Sequence, residues 1–301
     1  MCIRDRLNYF KNSTATTLLF RLVQIATIGV FLGRAWQHWR WDAPYRTLLW
    51  DEYWMSHIVS GLLSWNWMEY VQSPAVDQFI QGSIRGTGLF YLCCGIAALC
   101  IKKAPRFSRL LLWLGAISLI LLALLYCKER FFSIGQFFEY SLQCGSPLLL
   151  IYLSKHLNPS KSILLLTKIA IAATFTAHGL YALGYYPRPV HFMEMTMNIL
   201  GIEEENAIVF LNVAGVLDII ISIGIFLPWR WAKYCLGYAV FWGLATTVAR
   251  VWAYFNWEWL GAILAQWLHE SVMRFPHFLI PLAVFIYLGN SFYQDAKNSN
   301  V

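Results

Sequence analysis

The chain is 301 residues long, 58% hydrophobic and only 13% charged, with a formal charge of +7, whereas ordinary soluble domains carry roughly 25% charged residues. These values exclude a soluble globular domain and indicate an integral membrane protein with the lipid bilayer as its first partner. The basic excess does not indicate nucleic-acid binding, because Lys and Arg are spread through short links between apolar runs instead of forming one basic stripe.

The opening "MCIRDR" differs in character from the rest of the chain, resembles translated adapter sequence, and is left out of the fold argument. Windows of about 20 apolar residues, the length a bilayer core requires, then occur near 17–36, 85–101, 109–127, 132–153, 162–185, 206–228, 232–252 and 263–289. All eight are predicted as helices, since lipid leaves no other open segment with satisfied backbone groups. Between the first two lies "GRAWQHWRWDAPYRTLLWDEYW", with Trp36, Trp39, Trp41, Trp50 and Trp54. Indole rings favour the membrane interface. The alternation of Asp42, Asp51 and Glu52 with Arg40 and Arg46 further suggests a salt-bridged lid over 37–84 rather than a lipid-bound helix, whose polar face would be basic. Arg34, His38, Asp51 and Glu52 are its candidate polar residues. Ser73 and Pro74 supply an N-cap and a first-turn proline for the next helix.

Connections alternate in character. The N-terminal residues, the links near 102–109, 154–161 and 229–233, and the C-terminal tail hold 12 Lys or Arg against Asp5 and Asp295, while the opposite side carries long acidic connections. The positive-inside bias therefore places both termini in the cytoplasm, as in a bacterial inner-membrane protein. The same order of features occurs twice: "RLVQIATIGVFLGRAWQHW" stands opposite "KIAIAATFTAHGLYALGYY", with Arg21 against Lys168 and Gly33 against Gly179, and Pro105 matches Pro228. The expected fold class is all-α: eight transmembrane helices in two parallel four-helix repeats, 17–155 and 162–291, flanked by tails 1–16 and 292–301.

The string "GYYPRPVHFMEMTMNILGIEEENAIVFLNVAGVLDIIISIGIF", with "AHGLYALG" just before it, resembles the DoxX-like group of membrane proteins. The resemblance implies a four-helix unit with an outer amphipathic insertion. It also implies association with thiosulfate-to-quinone electron transfer or with membrane redox and detoxification assemblies, hence redox partner proteins. The first half departs through its longer outer insertion.

Polar residues inside the apolar runs are the candidate site. Gln136, Glu139 and Gln143 share one helical face before Pro147, and Gln266, His269 and Glu270 are similarly spaced before Pro276, the two prolines dividing the fourth span of each half. A carboxylate facing lipid costs about 2.5–3.5 kcal/mol, so these faces are expected to line an outward-opening cavity, the alternative being interfacial acids touching headgroup water. Arg250 and Lys128 are the expected partners of the acids. His178 lies among small residues, either as a packing histidine or, with His38, His57, His191 and His269 on the same side, as a ligand to haem, a metal ion or a quinone carbonyl. No histidine pair has metal-ligand spacing along one helix. Cys93 and Cys94 read as buried apolar residues, without CxxC spacing, so no metal site is expected. Asp218 is an intramembrane acid, either functional or bonded to Asn212, Thr246 or Thr247.

Three functions compete. The first is a redox-associated subunit binding a quinone-like or other apolar ligand through Glu139, Gln143, His178, Arg250, Gln266, His269 and Glu270. The second is a proton-coupled small-solute transporter using Asp218. The third, ranked last for want of any nucleophile, phosphate-loop or zinc signature, is an enzyme on lipid or sulfur compounds with a carboxylate and a histidine in acid and base roles, and a non-catalytic assembly subunit is the further alternative.

Overall fold

The structure, a computed structural model, describes residues 3–156 and 158–299, with side chains over 14–156 and 158–293; Met1 and Cys2 of the opening string lie outside the described residues. It is all-helical, with no strand among the described residues. The first half comprises α1 (Ile3–Arg40), three short helices α2 (Arg46–Leu49), α3 (Glu52–Leu62) and α4 (Trp67–Gln72), then α5 (Pro74–Leu99), α6 (Pro105–Glu129), α7 (Ile134–Glu139) and α8 (Ser141–Leu153). The second comprises α9 (Lys161–Leu183), α10 (Val190–Leu200), α11 (Glu204–Gly224), α12 (Trp229–Trp252), α13 (Leu260–Met273) and α14 (Pro276–Ser299).

Among the described residues six segments are long and apolar enough to cross a membrane: Thr14–Arg40, Pro74–Leu99, Pro105–Glu129, Lys161–Leu183, Glu204–Gly224 and Leu260–Tyr293. Their outer faces are greasy. On α6 alone Leu110, Trp113, Leu114, Ile117, Leu121 and Leu124 are exposed, a patch that water would not tolerate but acyl chains cover. The chain is thus an integral membrane protein. The two other expected spans are not among these six. Residues 132–153 are broken at Tyr140 into helices of 6 and 13 residues, and α12, 24 residues long, carries Arg230, Lys233 and Arg250 near its ends.

The prolines do not divide the fourth spans equally. Pro276 begins α14, after a break at Arg274 and Phe275, but Pro147 lies inside α8 and the break falls earlier, at Tyr140. Upstream of that break the chain reverses through Phe131 and Phe132, at φ 52° and 58°, a left-handed conformation that costs a non-glycine residue on the order of 1–2 kcal/mol. This reversal turns α7 back under α6 and aims its polar face inward.

Packing alternates between halves. α1 lies along α5 and reaches across to α13 and α14, while α9 lies along α11 and reaches across to α7 and α8. The glycines that align in the sequence serve different crossings. A Cβ at Gly33 would meet the His269 carbonyl and Met273 on α13 at 2.7–2.8 Å, whereas one at Gly179 would meet the Gly215 carbonyl on α11 at 2.8 Å. α9 ends at Gly184 with φ +78°, its amide donating to the Tyr181 carbonyl and that of Tyr185 to Leu180, the double C-cap that requires a residue without Cβ strain.

The segment expected as a lid packs on α5 and α6. Arg46 bridges Asp42 at 3.0 Å and Asp77 at 2.7 Å. Asp51 caps α3 through the Trp54 amide at 3.1 Å and pairs with Lys128, so Lys128 serves the insertion and not the site acids. Glu52 is exposed. Arg34 and His38 belong to α1 itself and are buried, 1% and 0% exposed. The indoles of Trp36 and Trp41 both donate to the Ala265 carbonyl of α13, at 3.1 and 3.2 Å, tying the two halves together at the interface rim.

Candidate functional site

Close helix crossings place polar residues from both halves within reach of one another. Arg274, in the break between α13 and α14, holds Glu139 of α7 at 3.4 Å and Glu270 of α13 at 3.6 Å. Glu270 also receives Arg250 Nη1 of α12 at 2.9 Å, and Glu139 accepts from Gln136 Nε2 at 3.0 Å with His178 Nε2 of α9 at 3.9 Å. The acids that the sequence assigns to separate halves are therefore two ends of one ion cluster. Arg250 is the expected partner of Glu270; Arg274 is the residue that sequence reasoning missed, although its place one helical turn after Glu270 was a usable signal.

Arg34 forms a second arm. Its Nη1 donates to Gln37 at 2.7 Å and its Nη2 to Gln143 at 2.8 Å, and it lies 5.5 and 4.9 Å from the ring centres of Tyr126 and Tyr140. Contacts of this cation–ring kind contribute about 0.5–2 kcal/mol, while burying an unpaired charge costs several kcal/mol. One turn on, His38 Nδ1 donates to the Arg34 carbonyl at 2.8 Å, leaving Nε2 for the Tyr45 hydroxyl at 3.3 Å.

Two cavities meet at this cluster. The larger, about 240 Å³, runs between α9, α10, α11 and α12 and is walled by Phe175, Phe192, Phe210, Leu211, Ala214 and Trp242. His178, Asp218, Arg250, Arg274 and His277 are its polar residues beside two threonines. His178 Nε2, Asp218 Oδ1 and His277 Nε2 are buried with no hydrogen-bond partner, although nearly all buried polar groups have one. The His178 and His277 rings meet edge to face at 5.5 Å, and His277 Nδ1 donates to the Arg274 carbonyl at 3.1 Å, so its free Nε2 is an acceptor. Asp218 has none of its expected partners: Asn212 accepts from Arg188 at 2.9 Å, and Thr246 and Thr247 bond backbone carbonyls of their own helix. The smaller cavity, about 160 Å³, is lined by Arg34, Tyr140, Glu139, His191, Glu270 and Arg274 among others, and shares Phe192 and Arg274 with the larger.

The remaining candidates separate. Gln143 joins the site through Arg34. Gln266 is exposed and lines neither cavity, and His269 is buried with an unpartnered Nδ1 against α1, also outside both. Of the segment 37–84 expected as a lid, Gln37 at the end of α1 is the one residue that lines either cavity. His277, Tyr126 and Tyr140 had no sequence signal, because an aromatic or histidine in an apolar run looks the same in a core as in a pocket.

His191, on α10 outside the spans, titrates at about 4 against an ordinary 6.5, first because it is buried and then because Arg250 and Arg274 repel its proton. A depressed histidine leaves the folded state short of protons relative to the unfolded one. Stability is therefore full above about pH 6.5 and declines as pH falls toward 4. In detergent, the loss of unfolding free energy between pH 7.5 and 5, read by chemical denaturation, is expected to be smaller for His191→Gln than for the parent by on the order of 1–2 kcal/mol; equal acid sensitivity refutes it.

No protein-family model, curated protein or solved structure matches the chain.

Proposed function

We propose that this chain binds an apolar ring compound of the quinone type in the larger cavity, as a DoxX-like, redox-associated subunit of a bacterial inner membrane. In this reading it consists of two parallel four-helix repeats, with eight membrane-crossing segments and cytoplasmic termini. The observation that carries the binding reading is the pairing of aromatic walls with three buried, unpartnered polar atoms, on His178, Asp218 and His277. A pocket that is mostly apolar with a few convergent polar groups is the ordinary form of a small-molecule site. Ring hydroxyls suit the acceptors Asp218 Oδ1 and His277 Nε2, and ring carbonyls suit the guanidinium donors of Arg250 and Arg274. A volume of about 240 Å³ suits one ring system, with any chain extending toward lipid. The repeat is supported by the reciprocal reach of α1 to α13 and α14 and of α9 to α7 and α8, and the affiliation by residues 184–226 of the sequence.

The test is titration of the detergent-purified chain with a short-chain benzoquinone, read as quenching of tryptophan emission. Saturable quenching is expected in the parent and at least about tenfold weaker affinity in Ala214→Trp, which fills the cavity. Equal quenching in both variants removes the proposal. Asp218 favours a second reading, a proton-coupled transporter, because an acid only 2% exposed lines the cavity with a free oxygen. That reading expects gradient-dependent solute uptake in liposomes to disappear in Asp218→Asn.

A further inference from the structure

We propose that the smaller cavity is a binding site for a singly charged oxyanion or carboxylate, with Arg34 as its principal cation. Arg34 is 1% exposed and lines the cavity, and its Nε has no partner. Among the described residues no carboxylate comes within 4.0 Å of it, and the two partly buried acids of the cavity face other cations, Glu139 facing Arg274, and Glu270 facing Arg250 and Arg274. Arg34 is thus a buried cation with no carboxylate partner, whereas Arg250 and Arg274 face Glu139 and Glu270. Glu129 and Arg130 at the cavity mouth are both exposed and cancel.

One negative charge restores neutrality inside a low-dielectric region, where an unpaired ion is otherwise expelled or neutralised. A neutral ligand does not supply it, nor does a cation. The donors are already oriented. The two glutamines fix the Arg34 terminal nitrogens, and the Tyr126 and Tyr140 rings hold the guanidinium plane. The site adjoins the larger cavity and shares Phe192 and Arg274 with it, but Arg34 lines the smaller one alone.

Thermal unfolding of the full chain in mild detergent tests this, with sodium acetate or sodium phosphate replacing the bulky anion of sodium gluconate at constant ionic strength. The parent's midpoint is expected to rise saturably with one of the small anions, as for a ligand that binds only the folded state. Arg34→Gln is expected to lose that rise and to be at least as stable as the parent in gluconate, because its buried charge is gone. Arg34→Lys retains the rise with affinity weakened about tenfold, which keeps the test informative should the glutamine variant fail to fold. Mass spectrometry of extracted lipid distinguishes the source: an acidic lipid retained by the parent and lost from the Arg34 variants assigns the anion to a lipid head, and its absence beside a saturable shift assigns a free anion. An equal shift in all three proteins overturns the proposal, as does the absence of both a shift and a retained acidic lipid.

Discussion

Arg274→Met is expected to destabilise the protein by roughly 3–5 kcal/mol, the usual cost of removing one partner from a buried ion pair and leaving the other uncompensated. Glu139 is the residue left stranded, because beyond Arg274 it retains only Gln136 and a histidine at 3.9 Å, whereas Glu270 keeps Arg250 at 2.9 Å. The loss therefore falls at the junction between halves. Chemical denaturation in detergent should register it as a lower midpoint, and addition of Glu139→Gln to Arg274→Met should recover most of it by removing the orphaned charge. A single variant as stable as the parent, or a double variant no better than the single, would mean that the cluster carries no net electrostatic weight.

A comparably large effect is expected from Gly179→Leu. The α9–α11 crossing is reciprocal: a Cβ on Gly179 meets the Gly215 carbonyl at 2.8 Å, and one on Gly215 meets the Gly179 carbonyl at 2.8 Å. Both obstacles are backbone atoms in regular helices, so neither side yields by a rotamer change, and overpacking of this kind costs about 1–3 kcal/mol or more. His178 and Asp218 stand beside this crossing and line the larger cavity, so separating the helices also disperses the site. Gly86→Leu is the control, since a Cβ at Gly86 meets nothing within 4 Å. Size-exclusion profiles and thermal midpoints should show Gly179→Leu largely aggregated or early-melting and Gly86→Leu near the parent. Parity between the two variants would refute the crossing as a packing constraint.

Much of the site's membership was legible in advance. Acids in apolar runs are costly wherever lipid touches them, so Glu139, Glu270 and Asp218 declared themselves by type and place. Helical spacing paired Gln136 with Glu139 on α7, whereas Gln143, expected on the same face, lies on α8 beyond the break at Tyr140. What spacing could not supply was the identity of partners. Lys128 lies near the outer acids along the chain, yet Asp51 of the insertion takes it. Arg34 lies at the end of an apolar run beside a tryptophan-rich stretch, which suggests a lid, but α1 continues to Arg40 and carries Arg34 and His38 into the interior.

By itself the sequence determined the properties set by composition and periodicity: helices throughout, apolar segments of membrane length, and ionisable residues that must avoid lipid. Those properties are local, since a helix satisfies its backbone within its own segment and hydropathy is a sum over neighbours along the chain. The tertiary structure alone decided which charges meet, where the helices break, and that two cavities adjoin at Arg274. Such outcomes depend on which glycine admits which backbone and on side chains far apart in sequence. The contact of Arg274 with Glu139 is therefore a property of packing, visible only once the halves are assembled.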